Sequence, residues 1–255
     1  MSRIAMFAYG VGTYALFLVT FLYAAGFLGS VPLLPKTIDT NPGPLTLSAV
    51  LINVGLLSLF ALQHAVMARP AFKRRWTKII SPRIERNTFV LATCLVLGLL
   101  FWQWRAIEGV VWHTEGAAAI VLQCGYWLGI AIVFISTINI DHFELFGLRQ
   151  AFDTLRGREP REQAFRTPGL YRYVRHPIMT GFLIAMWCVP TMTVGHLLFS
   201  AVASAYIFVA VHFLEERDLI KVFGARYLSY MRNVPSYLPI RFGRPEPTPA
   251  ESTAE

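Results

Sequence analysis

The residues best suited to chemistry begin at an Arg-His-Pro triplet, Arg175-His176-Pro177, at the start of an apolar segment. Pro177 suits the first position of a helix, because its missing N–H costs nothing there. The free N–H groups of that helix start, beside Arg175 and His176, favour a carboxylate or a phosphate. Gly181, one turn later, leaves room for close approach of backbone or ligand. The competing interpretation is an arginine and a histidine that only reach towards the membrane interface.

A pair of acidic residues, Glu215-Glu216, closes the following apolar segment. Adjacent helical residues differ in direction by about 100°, so one of the two carboxylates should turn towards the helix bundle or the cytoplasm. His212 is expected to share a helix face with Glu216 at the i, i+4 spacing. One carboxylate could therefore pair with a cation in the site, including a cationic ligand. The alternative is an ion pair with Arg217 or Arg226.

Two further histidines lie near the ends of apolar runs. His142 follows Asn139 and Asp141, and His64 follows Gln63. A histidine oriented by a carboxylate or an amide is a candidate general base. His142 with Asp141 is the first such candidate here and His64 the second. Helix packing and a solvated helix end are the competing interpretations.

The composition is that of a membrane protein, with 55% hydrophobic and 15% charged residues, against roughly 25% charged in soluble domains. The net charge of +8 does not indicate nucleic-acid binding, because the basic residues lie in short blocks between apolar runs. Histidines are at least sixteen residues apart, so the closely spaced ligands of zinc and di-iron sites are absent and no metal is predicted. Haem held by histidines on separate helices stays open.

The elements that must position these residues are apolar runs of the length that a bilayer helix needs. They cover about 4–28, 45–67, 88–104, 117–140, 178–194 and 196–214. Only Gly195 separates the last two, which predicts a tight helical hairpin or one broken helix. The predicted fold is an all-α polytopic bundle with five to six spans.

The distribution of lysine and arginine along the chain predicts how the bundle is oriented in the membrane. Twenty-one of the twenty-three lie at Arg3, in the loops 69–87 and 141–177, or after residue 214. Only Lys36 and Arg105 fall in the opposite loops. By the positive-inside rule both termini and the candidate site are cytoplasmic.

One transmembrane domain is predicted over residues 1–240. The remaining residues, 241–255, contain several prolines and almost no apolar side chains. Such a composition favours a disordered tail.

Residues 165–239 contain a two-part motif, LYRYVRHPIMTG followed by EERDLIKVFGARYLSYMRNVPSYLP. This pair resembles the C-terminal signature of the integral-membrane methyltransferases related to isoprenylcysteine carboxyl methyltransferase. The upstream stretches LQHAVMARPAFKRRWT, LLFWQWR and IDHFELFGLRQ resemble the nurim-related branch. Together the two resemblances cover nearly all of the chain before the tail. One departure is Met179, where relatives commonly have an aromatic residue.

The resemblance implies S-adenosylmethionine bound on the cytoplasmic side, over the final helices. The bacterial members of the nurim branch imply methylation of methanethiol to dimethyl sulfide in a bacterial inner membrane. The residues expected to hold the cofactor are Tyr173, Arg175, His176, Pro177, Gly181, Glu215, Glu216, Tyr227 and Tyr230.

The cofactor's carboxylate would then meet Arg175, His176 and the helix start. Glu215 or Glu216 would meet its ribose hydroxyls or ammonium, and the two tyrosines would cover the adenine or the sulfonium. A base such as His142, oriented by Asp141 or Asn139, or else His64, would help to form the thiolate.

Two other functions remain open for such a bundle. A related methyltransferase could act on a larger thiol, a prenyl-cysteine or a lipid, and would need a wide groove open to the bilayer. A nurim-like structural protein would keep the bundle without a cofactor. The expected partners are a small volatile thiol and the lipid bilayer.

Overall fold

The computed structural model describes residues 2–158 and 165–240. Its helices are α1 (Arg3–Leu28), α2 (Leu47–Ala68), α3 (Pro70–Trp76), α4 (Pro82–Gln103), α5 (Gly116–Ile140), α6 (His142–Leu145), α7 (Leu148–Leu155), α8 (Pro177–Trp187), α9 (Val194–Val209), α10 (Glu216–Phe223) and α11 (Ala225–Asn233). A 3₁₀ turn covers Gly169–Arg172 and a π-helical segment covers Ala210–Glu215; the short strands are β1 (Val110–His113) and β2 (Thr191–Thr193). The predicted tail 241–255 lies outside the described residues.

Within residues 2–158 and 165–240, five helical stretches have the length and the hydropathy of membrane spans. They are α1, α2, α4, α5 and the continuous stretch Val194–Phe223, which runs through α9, the π-helical segment and α10. The protein is therefore a multi-pass membrane protein, and the predicted all-α bundle is confirmed.

The apolar run 178–194, predicted as one of the spans, is helical over only part of its length. α8 has 11 residues, about 16 Å at the helical rise, which is short of a bilayer crossing. The chain continues as extended backbone into β2, and Gly195 lies inside α9 instead of in a turn. Extended backbone in lipid needs partners for its carbonyls. Here Trp112 Nε1 donates to the Val189 carbonyl at 3.1 Å, and Thr114 N donates to the Pro190 carbonyl at 3.0 Å.

The ends of the bundle differ in the segments they bring together. At one end Arg3 lies beside Gly157, and Arg69 pairs with Asp218 at 2.9 Å. At the other end β1 pairs with β2 in an antiparallel ribbon. The N-terminus, both basic loops and the segment after α9 thus share one end, as the charge distribution predicts.

Helices α5 and α8 pack so closely that their backbones touch. A Cβ on Gly181 would lie 2.6 Å from the carbonyl oxygen of Gly129, and a Cβ on Gly129 would lie 2.6 Å from the carbonyl oxygen of Gly181. Backbone therefore meets backbone at this crossing, and a side chain at either position has no room. This contact fixes the depth of α8, which begins at the proline of the Arg-His-Pro triplet.

We expect Gly181→Ala to lower the free energy of unfolding by about 1–3 kcal/mol, because the added methyl group meets rigid backbone. Thermal unfolding of the detergent-solubilised protein measures the change. Gly12→Ala in α1 is the matched control, since a Cβ there meets nothing within 4 Å. Equal unfolding midpoints for the two variants would contradict the prediction.

Candidate active site

The two residues before α8 are attached to the chain that follows α11. Arg175 N donates to the Pro235 carbonyl at 2.8 Å, and His176 N donates to the Ser236 carbonyl at 3.0 Å. Pro177 is the first residue of α8, as predicted. The two ends of the C-terminal motif are thereby joined through backbone hydrogen bonds.

Two side chains, those of Arg175 and His176, meet at one carboxylate oxygen, Glu216 Oε1. Arg175 donates to it from Nε at 3.0 Å and from Nη2 at 2.7 Å. His176 Nε2 lies 3.1 Å from the same oxygen. The side chains of Arg175, His176 and Glu216 are only 9%, 4% and 7% exposed. The cluster is therefore a buried ion pair with a third hydrogen-bond donor.

The guanidinium of Arg175 is saturated by protein acceptors. Nη1 donates to the carbonyls of Met231 and Val234, at 3.0 and 2.5 Å. Nη2 also donates to Ser236 Oγ at 2.6 Å. Each of the three nitrogens thus already has an acceptor in α10, α11 or the chain after it. Arg175 ties the C-terminal elements together and offers no unused nitrogen to a ligand.

Glu215 lies beside this cluster and remains open. Its side chain is 46% exposed, and its Oε1 lies 3.7 Å from His176 Nδ1. His176 therefore stands between two carboxylates, one buried and one accessible. The adjacent pair Glu215-Glu216 divides into a carboxylate used by the fold and a carboxylate available to a ligand.

The π-helical segment gives these two carboxylates their directions. Glu216 N donates to the carbonyl of Val211, five residues earlier, in place of the usual four. The wider turn shifts every later side chain around the helix axis. His212 is exposed and Glu216 is buried, so the predicted shared face of this i, i+4 pair is wrong. π-helical turns of this kind are frequent at functional sites.

Four tyrosines surround the carboxylates. Burial, followed by the negative charge of Glu215, raises the pKa of Tyr171. Burial raises the pKa of Tyr230 and of Tyr237 to about 12, and burial also raises the pKa of Tyr227. These phenols are therefore neutral at physiological pH and can act as hydrogen-bond donors.

Two of these hydroxyls have no acceptor among the described residues. Tyr227 Oη and Tyr237 Oη are buried without a hydrogen-bond partner in the described part of the chain, whereas Tyr230 Oη donates to the Tyr171 carbonyl at 2.5 Å. A buried unpaired hydroxyl is costly, so both are suited to a polar ligand. Tyr237 is absent from the predicted set, although its ring centroid lies 6.1 Å from that of His176. Its position in the VPSYLP segment is the signal that could have identified it.

Two of the predicted cofactor residues lie outside this group. Tyr173 is 65% exposed to the surroundings. Gly181 faces the α5 backbone, so its role in packing is explained without a ligand. Six of the other seven predicted residues bring their side chains together: Arg175, His176, Glu215, Glu216, Tyr227 and Tyr230. The seventh, Pro177, begins α8 directly after His176.

His142 is held by neighbours other than the predicted ones. Its Nδ1 lies 2.8 Å from Thr137 Oγ1, and its Nε2 lies 3.0 Å from Tyr14 Oη. The Thr137 hydroxyl donates its one hydrogen to a backbone carbonyl, so it accepts from Nδ1–H and leaves the Nε2 lone pair to Tyr14. Asp141 is used elsewhere, in an ion pair with Arg149 at 2.7 Å. Asp141 therefore does not orient the imidazole.

The second candidate base, His64, lies in α2 between aromatic rings. Ring centroids of Phe60 and Phe89 lie 5.4 and 5.0 Å from that of His64. Its Nδ1 is buried and has no hydrogen-bond partner among residues 2–158 and 165–240. His64 thus offers a free ring nitrogen, which His142 does not.

We expect stability to fall as the pH drops below about 6.5, partly through His142. Burial lowers the pKa of His142, against the smaller opposing effect of Asp141. The unfolded chain therefore binds this proton first, so the stabilisation is present above the unfolded pKa and is lost on acidification. Unfolding midpoints measured at about pH 8 and about pH 5.5 should differ less in His142→Gln than in wild type. Substitution of the exposed His113 is the control; a wild-type slope in His142→Gln would contradict the assignment.

Comparison with known proteins places the chain among characterised relatives. A family model described as NnrU protein matches residues 52–227. Methanethiol S-methyltransferase 2 of Bradyrhizobium diazoefficiens is 54% identical over 95% of this chain and 93% of its own length. Methanethiol S-methyltransferase of Mycobacterium tuberculosis is 48% identical over 94% and 98%. Nurim of Rattus norvegicus is 30% identical over 68% and 69%, and no solved structure matches.

The family match contains both carboxylates, the Arg-His-Pro triplet and both candidate bases. It extends as far as Tyr227 in α11. The resemblance to nurim-related proteins that the motifs predicted is therefore confirmed, and the chain belongs to the NnrU protein family.

Proposed function

We propose that this protein methylates methanethiol to dimethyl sulfide with S-adenosylmethionine as the methyl donor. The observation that carries the proposal is the identity of 44–54%, over 80–95% of this chain, to relatives named methanethiol S-methyltransferase. The geometry around Glu215 supports it, because that region offers the groups that such a donor requires.

The residues present fit this cofactor. The unpaired hydroxyls of Tyr227 and Tyr237 can donate to its carboxylate or to its adenine nitrogens. Glu215 can accept from its ammonium group or its ribose hydroxyls. Aromatic faces on Tyr227 and Tyr230 suit its cationic sulfur. When bound, the cofactor supplies an electrophilic methyl group on a sulfonium.

The buried cluster contributes positioning. Glu216, Arg175 and His176 join the start of α8 to α10 and to the chain after α11. This cross-link holds Glu215 and the tyrosines at fixed distances from one another. Methyl transfer to a thiolate is an in-line displacement, so fixed geometry and exclusion of water are the main demands on the protein.

The remaining step for the protein is removal of the thiol proton. Even a cysteine thiol has a pKa of about 8.5, so a base near the thiol raises the thiolate fraction at neutral pH. A base needs a ring lone pair that no protein donor already occupies. His64 Nδ1 has no partner among the described residues, whereas His142 Nε2 faces the Tyr14 hydroxyl. We therefore place His64 ahead of His142 as the proposed proton acceptor.

We also propose that the site faces the cytoplasm across a bacterial inner membrane. Glu215 and Glu216 lie at the end of the bundle that gathers the N-terminus and the basic loops. The opposite end carries Lys36 and Arg105, the two cations of the remaining loops. The positive-inside rule supports this orientation.

The test uses the purified protein in detergent with methanethiol and S-adenosylmethionine that bears a trideuterated methyl group. Headspace gas chromatography with mass detection should find trideuterated dimethyl sulfide above the level of a reaction without protein. The label proves that the methyl group comes from the cofactor. Cofactor binding without product would favour a larger acceptor, and a folded sample that binds no cofactor would contradict the methyltransferase proposal.

A further inference from the structure

The π-helical segment before Glu216 departs from regular α-helical geometry, so contacts from other parts of the chain are needed to stabilise it. Its i→i−5 hydrogen bond, from Glu216 N to the Val211 carbonyl, disturbs the usual pairing of nearby carbonyls. A buried backbone carbonyl must accept a hydrogen bond from some donor. The Leu214 carbonyl, next to Glu215, accepts a hydrogen bond from Arg69 Nη1 at 3.1 Å.

Arg69 makes a second bond on the other side of Glu215. The same Nη1 lies 2.9 Å from Asp218 Oδ2, and the two side chains are 27% and 25% exposed. Leu214 precedes Glu215 by one residue and Asp218 follows it by three. The guanidinium therefore contacts the helix on both sides of Glu215. These contacts span the join between the π-helical segment and α10, which lies between Glu215 and Glu216.

The position of Arg69 is itself fixed. It lies between α2 and α3 in extended backbone, with φ −69° and ψ 137°, the conformation that a following proline favours. That proline is Pro70, the first residue of α3. Arg69 Nε also donates to the Ala65 carbonyl at 3.4 Å. The side chain is thus directed from the end of α2 onto the join.

We propose that Arg69 is a positioning residue that clamps the join between the π-helical segment and α10 and so sets the direction of Glu215. Its effect on cofactor binding rests on the proposed function, whereas its effect on the helix does not. Arg69 does not itself touch the cofactor. It acts through Leu214 and Asp218.

Substitution of Lys221 is a matched control for substitution of Arg69, because both cations lie beside the Asp218 carboxylate. Its Nζ lies 3.7 Å from Asp218 Oδ1, and its side chain is 77% exposed. Exposed pairs of this kind contribute little. Lys221→Met therefore removes a cation from the same carboxylate without touching Leu214.

The experiment compares wild type with Arg69→Met, Asp218→Asn and Lys221→Met. Without cofactor, hydrogen–deuterium exchange of peptides over residues 209–218 should be about tenfold faster in Arg69→Met, because two charge-assisted hydrogen bonds are lost. Other spans should exchange as in wild type. The dissociation constant of S-adenosylmethionine, measured by calorimetry, should rise about tenfold. Asp218→Asn should show smaller changes in the same direction, and Lys221→Met none.

Unchanged exchange over 209–218, or faster exchange spread through the whole bundle, would overturn the clamp. Wild-type cofactor affinity in Arg69→Met would overturn it as well. Failure of the wild-type protein to bind cofactor would instead refute the proposed function, while the exchange measurement would still decide the helix contact. If Arg69→Met yields no folded protein, Asp218→Asn carries the test, and wild-type behaviour of that variant would overturn the proposal.

Discussion

Replacing Glu216 with Gln should lower the free energy of unfolding by about 3–5 kcal/mol, because it leaves the buried Arg175 charge without a counter-ion. Glu216 Oε1 accepts from two nitrogens of Arg175 and from His176. An amide oxygen can replace one of these acceptor roles but carries no charge. Domains are stable by only about 5–15 kcal/mol, so the variant should unfold at a markedly lower temperature and lose activity with the fold.

Thermal unfolding of detergent-solubilised variants measures this effect. The double variant Arg175→Met with Glu216→Met should be more stable than either single variant, since it leaves no unpaired buried charge. Glu215→Gln is the neighbouring control and should unfold near the wild-type temperature. A wild-type midpoint in Glu216→Gln, or strictly additive single substitutions, would show that the cluster does not hold the fold.

The membrane architecture could be read from the sequence because bilayer thickness and loop charge constrain it strongly. Five of the predicted apolar runs became spanning helices, and the basic segments gathered at one end. The run 178–194 was different. Hydropathy shows that its side chains are apolar, but it does not show which groups will form hydrogen bonds with its backbone. Trp112 and Thr114, far away in the chain, allow that segment to be extended.

The candidate site was predicted as a set of residues but not as a division of roles. The Arg-His-Pro triplet and the Glu-Glu pair do meet. Helical spacing could not tell which carboxylate is buried, because it assumes 3.6 residues per turn and the segment is π-helical. It also could not show that the carbonyls of Met231 in α11 and of Val234 just after it accept hydrogen bonds from Arg175.

The histidines illustrate the same limit. Sequence proximity favoured Asp141 as the partner of His142, yet Asp141 pairs with Arg149 and the imidazole meets Tyr14 of α1. A contact between residues so far apart in sequence leaves no local pattern. No sequence pattern shows that His64 Nδ1 lacks a hydrogen-bond partner among the described residues.

Glu215→Gln should raise the dissociation constant of S-adenosylmethionine about 10- to 100-fold while leaving the unfolding temperature near that of wild type. Loss of a hydrogen bond to a charged group costs about 1.5–3 kcal/mol, and each 1.4 kcal/mol is tenfold in affinity. The fold does not depend on this carboxylate, since nearly half of the side chain is exposed. Binding by calorimetry and unfolding by temperature scan therefore separate the roles of two adjacent glutamates.

A second ligand locates the contact that Glu215 makes. S-adenosylhomocysteine keeps the ribose hydroxyls and the ammonium group but lacks the sulfonium charge. If Glu215 contacts the ribose or the ammonium, Glu215→Gln should lose affinity equally for both ligands. A loss confined to S-adenosylmethionine would instead indicate that the carboxylate contacts the sulfonium. Glu115→Gln, at an 86% exposed side chain beyond the opposite end of α5, should bind both ligands as wild type does. Wild-type affinity in Glu215→Gln would show that this carboxylate does not contact the cofactor.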